Sequence, residues 1–174
     1  GPDGVGAAPV CGGSGGVWRK VAWGRGAAVG QGGGAYVQPG RLGDSGREIE
    51  DVVAGLHEPS GSVLDVVQDV SRSIQGRRRY ERKVTTAQTM VGEALSLGCG
   101  VCQDFAHVFL GACRGLGLPA RYVSGYVHGL GERATHAWCQ VWAAGAGWVD
   151  LGPTRGEIVD ERNGFTAVGR AYPD

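Results

Sequence analysis

The sequence predicts an α+β fold in which helices come first and an antiparallel β-sheet follows. Three observations predict it. Between residues 47 and 116 the apolar residues recur at helical spacing; "GLP" at 117–119 then supplies a stop by Gly and Pro; after Pro119 the period falls to two. With 174 residues the chain is long enough for one domain with a sizeable core. Its 17 basic and 17 acidic residues cancel, so neither nucleic acid nor an anionic membrane surface is expected as a partner. There is no apolar run of membrane-spanning length and no leader pattern, and no membrane segment is expected. The only Met is Met90, so the chain is expected to be a fragment or a processed product. Five cysteines, at 11, 99, 102, 113 and 139, are an odd and thinly spread set. They argue against a disulfide framework and for a reducing, cytoplasmic setting.

Residues 1–46 hold nearly half of the 34 glycines, in stretches such as "CGGSGG" and "VGQGGGA" without apolar periodicity. Such a segment buries little against its chain entropy and reads as a poorly ordered arm, with "VWRKVAW" at 17–23 as one short strand within it. Residues 47–174 form the domain. Ile49, Val52, Val53 and Leu56 make one helix face; Val63, Val67, Val70 and Ile74 make a second, capped by Ser60 or Ser62. A third helix is expected from Thr85, where "TTAQ" has capping-box spacing, carrying Met90, Ala94 and Leu97. "GRRRYERK" before it reads as a solvated linker, with phosphate binding as the minor alternative. The fourth helix carries Phe105, Val108, Phe109, Ala112 and Leu116. Beyond Pro119, "RYVSGYV" at 121–127 reads as a strand, and "HAWCQVW" at 136–142 and "WVDL" at 148–151 as a hairpin. On its first strand His136, Trp138, Gln140 and Trp142 share one face, and Ala137, Cys139 and Val141 the other.

Chemistry concentrates at "GCGVCQDFAH", residues 98–107. Cys102 falls in the first turn of the fourth helix, where unpaired N–H groups and the positive end of the helix dipole favour a thiolate and could hold an oxyanion. Burial as a small core residue is the competing reading of any isolated Cys. Cys113 and Cys139 are expected in or near the core. Cys99 and Cys102 could be a redox pair, but helices stand where a βαβ unit would be needed. A zinc site lacks two ligands, and no calcium-loop spacing appears; no metal and no cofactor is implied. A helix-borne Cys followed by a strand-borne His is what papain-like chemistry needs, and it singles out His136. His107 lies off the near face of the helix, His128 by a polar loop and His57 at the end of an early helix. Trp138, Trp142, Trp148 and Tyr126 could line an acyl-binding cleft or pair across the hairpin.

"GVCQDFAH", "LGLPARYVSGYVHG", "ATHAWCQVW" and "GWVDLGPTRG", in that order, resemble the transglutaminase-like superfamily, in particular its bacterial cysteine-peptidase-like branch. The resemblance runs from about residue 38 through "VGRAYPD". It implies a papain-like α+β core, with Cys102 as nucleophile and His136 as general base. A peptide or protein amide would be the substrate, acting through a thioester that water or an amine resolves. Gln103 and Asp104 match positions of structural support. The family carries its orienting Asp directly before Pro, and here that residue is Gly152, with Asp150 two residues earlier. Arg155, Asn163 and Ala171 also replace usual polar residues. If the "AAGAG" loop closes a simple hairpin, Gln140 faces Asp150 and Gly152 lies diagonal to His136. Asp150 then sits about 6–7 Å further along, too far for a direct hydrogen bond unless a bulge intervenes. Two functions follow: a cysteine hydrolase or acyl-transfer enzyme using Cys102, His136 and Asp150, or a catalytically silent domain that binds peptide.

Overall fold

The computed structural model describes residues 33–37, 47–54, 56, 62–77, 79–80, 85–86, 89–91, 93, 97–127, 135–143, 146–154, 157–159 and 163–172. The predicted strand at 17–23, Cys11, His57, Ser60, His128 and Arg155 lie outside these residues. Of the Gly-rich segment 1–46, residues 33–37 are described; Gly33–Tyr36 is a single 3-10 turn.

Helix α1, Arg47–Ala54, buries Ile49, Val52 and Val53, as its spacing predicts, and Leu56 packs half-buried just beyond its end. Helix α2, Val63–Arg77, buries Val66, Val67, Val70 and Ile74. Ser62 is its cap: the Asp65 amide donates to Ser62 Oγ at 3.3 Å, and the Ser62 amide donates to Asp65 Oδ2 at 2.8 Å. The third predicted helix starts later than its sequence suggests. Thr85, Thr86, Thr89 and Met90 are not helical, whereas Val91, Glu93 and Leu97 are. Among its described residues Val91 is buried, and Met90 and Leu97 are exposed. The Thr86 amide donates to Thr89 Oγ1 at 2.8 Å, so the local hydroxyl competes with the helix for that donor.

The linker at 76–83 conceals a short strand. β1, Arg79–Tyr80, pairs in parallel with β2, Cys99–Gly100, directly before α3, Cys102–Gly115. Helix α3 is the centre of the molecule. All residues from Asp104 to Arg114 are buried, and the helix packs against α1, α2 and the strands β3 (Ala120–Val127) and β4 (Thr135–Ala143). A helix covered on every side is apolar all round, which is why its sequence stripe is wide. Leu116 follows its last turn, and Gly117, at φ 77°, makes the reversal into β3. The buried Arg114 guanidinium ties the turn together. It donates to the carbonyls of Tyr36 (3.1 Å), Ala120 (2.9 Å) and Arg170 (2.5 Å), joining the segment before α1 and the segment after the last strand to the helix end.

The sheet is five-stranded and antiparallel in the order β6-β5-β4-β3-β7, with β5 at Gly147–Gly152, β6 at Glu157–Ile158 and β7 at Asn163–Gly169. The hairpin register is the predicted one: Trp142 faces Trp148 and Gln140 faces Asp150. Ala143 also pairs with Gly147, whose φ of 79° suits a glycine, so the loop shortens to 144–146. Cys139 and Val141 face the helix, and Cys139 Sγ donates to the Ala106 carbonyl at 3.4 Å. The edge strands β6 and β7 were not legible from sequence. β7 exposes Gly164, Thr166, Ala167 and Val168, and Thr166 bulges where the pairing with β3 shifts between Ser124 and Gly125.

Candidate active site

The chain reaches Cys102 through a close-fitting entry. Gly98, at φ 64°, turns into β2; Val101 is extended; α3 then begins at Cys102. The buried Asp104 carboxylate closes this entry, since its Oδ2 accepts the Val101 amide at 2.8 Å and the Thr85 hydroxyl at 2.5 Å. Thr85 therefore serves the helix that carries the cysteine rather than the helix predicted to start at Thr85. A Cβ on Gly100 would approach Asp104 Oδ2 to 2.6 Å and Asp104 Cβ to 2.9 Å. Gly100→Ala is accordingly expected to destabilise the fold by about 2 kcal/mol, read as a lower urea midpoint.

Asp104 takes the Val101 amide, and the amides of Cys102 and Gln103 face the sulfur. Cys102 is half-buried and its thiol is not in a disulfide. Burial pushes its pKa above the ordinary value; N–H groups of Ala137, Gln103 and Cys102 itself act against that, and the Asp104 charge adds to it. The dipole argument from sequence thus finds its donors in place and is outweighed by desolvation. Cys102 is a thiol that needs a base to become a nucleophile.

The Ala137 amide belongs to the peptide unit that follows His136. The fold therefore brings the sulfur to the strand position predicted for the base. His136 is half-buried, pairs with Gly125 across β3, and lies over Trp138 with ring centroids 6.3 Å apart and planes 28° apart. Asp150 stands elsewhere on the same face. Its Oδ1 accepts the Trp138 indole N–H at 2.7 Å and the Gln140 amide at 2.9 Å, and Arg121 Nε donates to Gln140 Oε1 at 2.8 Å. Asp150 faces Gln140, four strand positions from His136, or about 13 Å at the usual rise. The pairing of β4 with β5 runs without a register shift, so the carboxylate reaches Trp138 rather than the imidazole.

Tyr122 was not singled out by sequence. Its hydroxyl pKa is raised, first by burial and next by the neighbouring Cys102 sulfur, and its ring lies between His107 (5.2 Å) and Tyr172 (6.2 Å). His107 is buried on α3, and its Nε2 accepts the Tyr172 amide at 3.2 Å, a structural role. Burial, and then the Arg114 charge, lower its pKa from 6.5 to about 4. The unfolded chain binds this proton more readily than the folded one. Stability is therefore full above about pH 6.5 and falls by about 3 kcal/mol as the pH drops to about 4. Urea unfolding across that range should show the slope, and His107→Gln should flatten it.

No group of three or more His, Cys, Asp or Glu side chains able to hold a metal occurs among the described residues. Nor is any described helix long and apolar enough to cross a membrane.

A helix-start cysteine against the central strands of an antiparallel sheet, with a histidine on the strand it meets, is the architecture of a papain-like, transglutaminase-like domain. A profile of the transglutaminase-like superfamily matches residues 49–153, and the chain belongs to that superfamily. An uncharacterized protein of Mycobacterium tuberculosis is 35% identical over 144 residues, covering 73% of this chain and 46% of that protein. One of Mycobacterium leprae is 35% identical over 130 residues, covering 70% and 44%. The chain thus spans less than half the length of these relatives. Among solved structures, a candidate cysteine protease from Cytophaga hutchinsonii superposes with TM-score 0.51 at 24% identity, over 79% of this chain and 52% of that one. The periplasmic domain of TgpA from Pseudomonas aeruginosa, bound to ethylmercury, gives 0.50 at 19%, over 76% and 52%. At these identities they bear on the fold.

Proposed function

We propose that the domain breaks amide bonds of peptides or proteins by acyl transfer to Cys102, with His136 as base and water as the ordinary acceptor. The observation that carries this reading is the Ala137 amide on the Cys102 sulfur, which sets the nucleophile beside the His136 peptide. His136 takes the thiol proton as sulfur bonds to the carbonyl carbon. The oxyanion is met by amides of the helix start, and the amine leaves with the proton from His136. Water, deprotonated by the same imidazole, then cleaves the thioester to the acid and restores the thiol. Asp150 belongs to this site through Trp138.

A peptide-binding module without turnover is the second reading, favoured by Gly152 at the position where the family places its acid. One experiment separates the two. Treatment with p-nitrophenyl acetate should release a stoichiometric burst of p-nitrophenol and leave an acetyl group on Cys102 in the peptide map, and casein should yield new amino groups. Acetylation without amine release from casein would favour the binding module; no acetyl group on Cys102 would remove the catalytic reading. With hydroxylamine present, the ratio of hydroxamate to acetate reports transfer against hydrolysis.

A further inference from the structure

Position 152, which a continued register places opposite Trp138 and diagonal to His136, is glycine and supplies no carboxylate. The same sheet face offers another group that touches the ring of the base. Trp138 is 1% exposed, lies two residues from His136 on that face, and holds its ring nearly parallel to the imidazole. Its single N–H is fixed by Asp150 Oδ1. The same oxygen also takes the Gln140 amide, and Arg121 sets which way that amide points by donating to its oxygen. Arg121 is anchored in turn, with its guanidinium 4.0 Å from the Trp148 ring centroid and 5.9 Å from that of Tyr36.

We propose that Trp138 is the positioning residue of this site: an indole platform, locked by Asp150 through Gln140 and Arg121, that sets the plane of the His136 ring. The proposal rests on the reading of His136 as base for Cys102. It gives Asp150 a role its distance otherwise denies it, since a carboxylate four strand positions away acts on the imidazole through one intervening ring. Gln140 and Arg121 carry the lock further along the same face, where Trp148 and Tyr36 pack. The face is a connected set of hydrogen bonds and ring contacts in which removing one member loosens the next.

Acetylation of Cys102 by p-nitrophenyl acetate, followed by p-nitrophenol release and peptide mapping, tests it in the whole chain. At about pH 7 Trp138→Phe, which keeps a ring but loses the N–H, and Asp150→Ala are each expected to slow acetylation about tenfold. The double variant should be no slower than the slower single one, because both act along one path. Asp150→Asn, which keeps an acceptor for the indole, should stay within about threefold of the parent. Above the Cys102 pKa, located by the pH profile of His136→Ala, hydroxide forms the thiolate without a base, and every variant should converge on the parent. A merely structural lesion would persist at high pH. Parental rates in either single variant, multiplying losses in the double, or slowing that persists above that pH would overturn the proposal. Should Trp138→Phe fail to fold, the comparison of Asp150→Ala with Asp150→Asn decides alone. Cys102→Ser and His136→Ala keep the underlying reading separate: if neither slows acetylation at about pH 7, it is the Cys–His reading that fails.

Discussion

Cys102→Ser is expected to lower amide turnover by at least about 10³-fold while leaving the fold and its unfolding midpoint nearly unchanged. The hydroxyl occupies the same half-buried place beside the Ala137, Gln103 and Cys102 amides, so the loss measures nucleophilic chemistry rather than packing. His136→Ala should cost about 10²–10⁴-fold, with a distinctive pH response. Burial holds the Cys102 pKa above its ordinary value, so at neutral pH the thiol is protonated, and in the proposed mechanism turnover depends on the imidazole. Without His136, the rate should keep climbing with pH through and beyond the ordinary thiol range of about 8.5, whereas the parent should level off earlier. Amine release from casein across that range, with peptide mapping of iodoacetamide-treated protein, checks both. Turnover at the parental rate in Cys102→Ser would end the assignment.

Asp104→Ala should be among the most damaging substitutions for stability, at about 2–4 kcal/mol in urea unfolding. The buried carboxylate accepts the Val101 amide and the Thr85 hydroxyl, and its loss strands both at the point where the chain enters α3. Asp104→Asn separates its two effects. An amide oxygen can still cap Val101, so most of the fold stability should remain. The negative charge that helps to raise the Cys102 pKa is removed, so alkylation of Cys102 at about pH 8 should be faster than in the parent. Slower alkylation in a folded Asp104→Asn protein would contradict the electrostatics described for this entry.

The elements that sequence patterns located correctly are those whose periodicity is enforced by burial on a single face. Val67, Val70 and Ile74 of α2, and Ala137, Cys139 and Val141 of β4, repeat because one side of each element meets the core. The hairpin register was legible for the same reason, helped by a short loop. The third helix was misplaced because Thr85 and Thr86 look like caps from sequence, whereas their hydroxyl and amide serve Asp104 and Thr89 across turns. β1, β2 and β6, of two residues each, carry no period at all, and the exposed edge β7 has little apolar alternation to read. At the candidate site, the placement of Cys102 at a helix start and of His136 on the adjoining strand was legible from their elements, and the position of Asp150 from the hairpin register. Its hold on Trp138 was not, because a hydrogen bond between an indole and a carboxylate leaves no trace in spacing. A Trp two residues from His136, with a carboxylate diagonal to it across the hairpin, was the available signal.

The burial of α3 on every side has a consequence for how the protein fails. Its amides should be among the last to exchange with solvent, opening only when the whole domain opens. Because Cys102 is the first residue of that helix, its surroundings should hold for as long as the buried stretch Asp104–Arg114 holds. Gradual heating should therefore abolish activity and structure in a single step, and stabilising the core anywhere along α3 should lengthen the working life of the thiol at its tip.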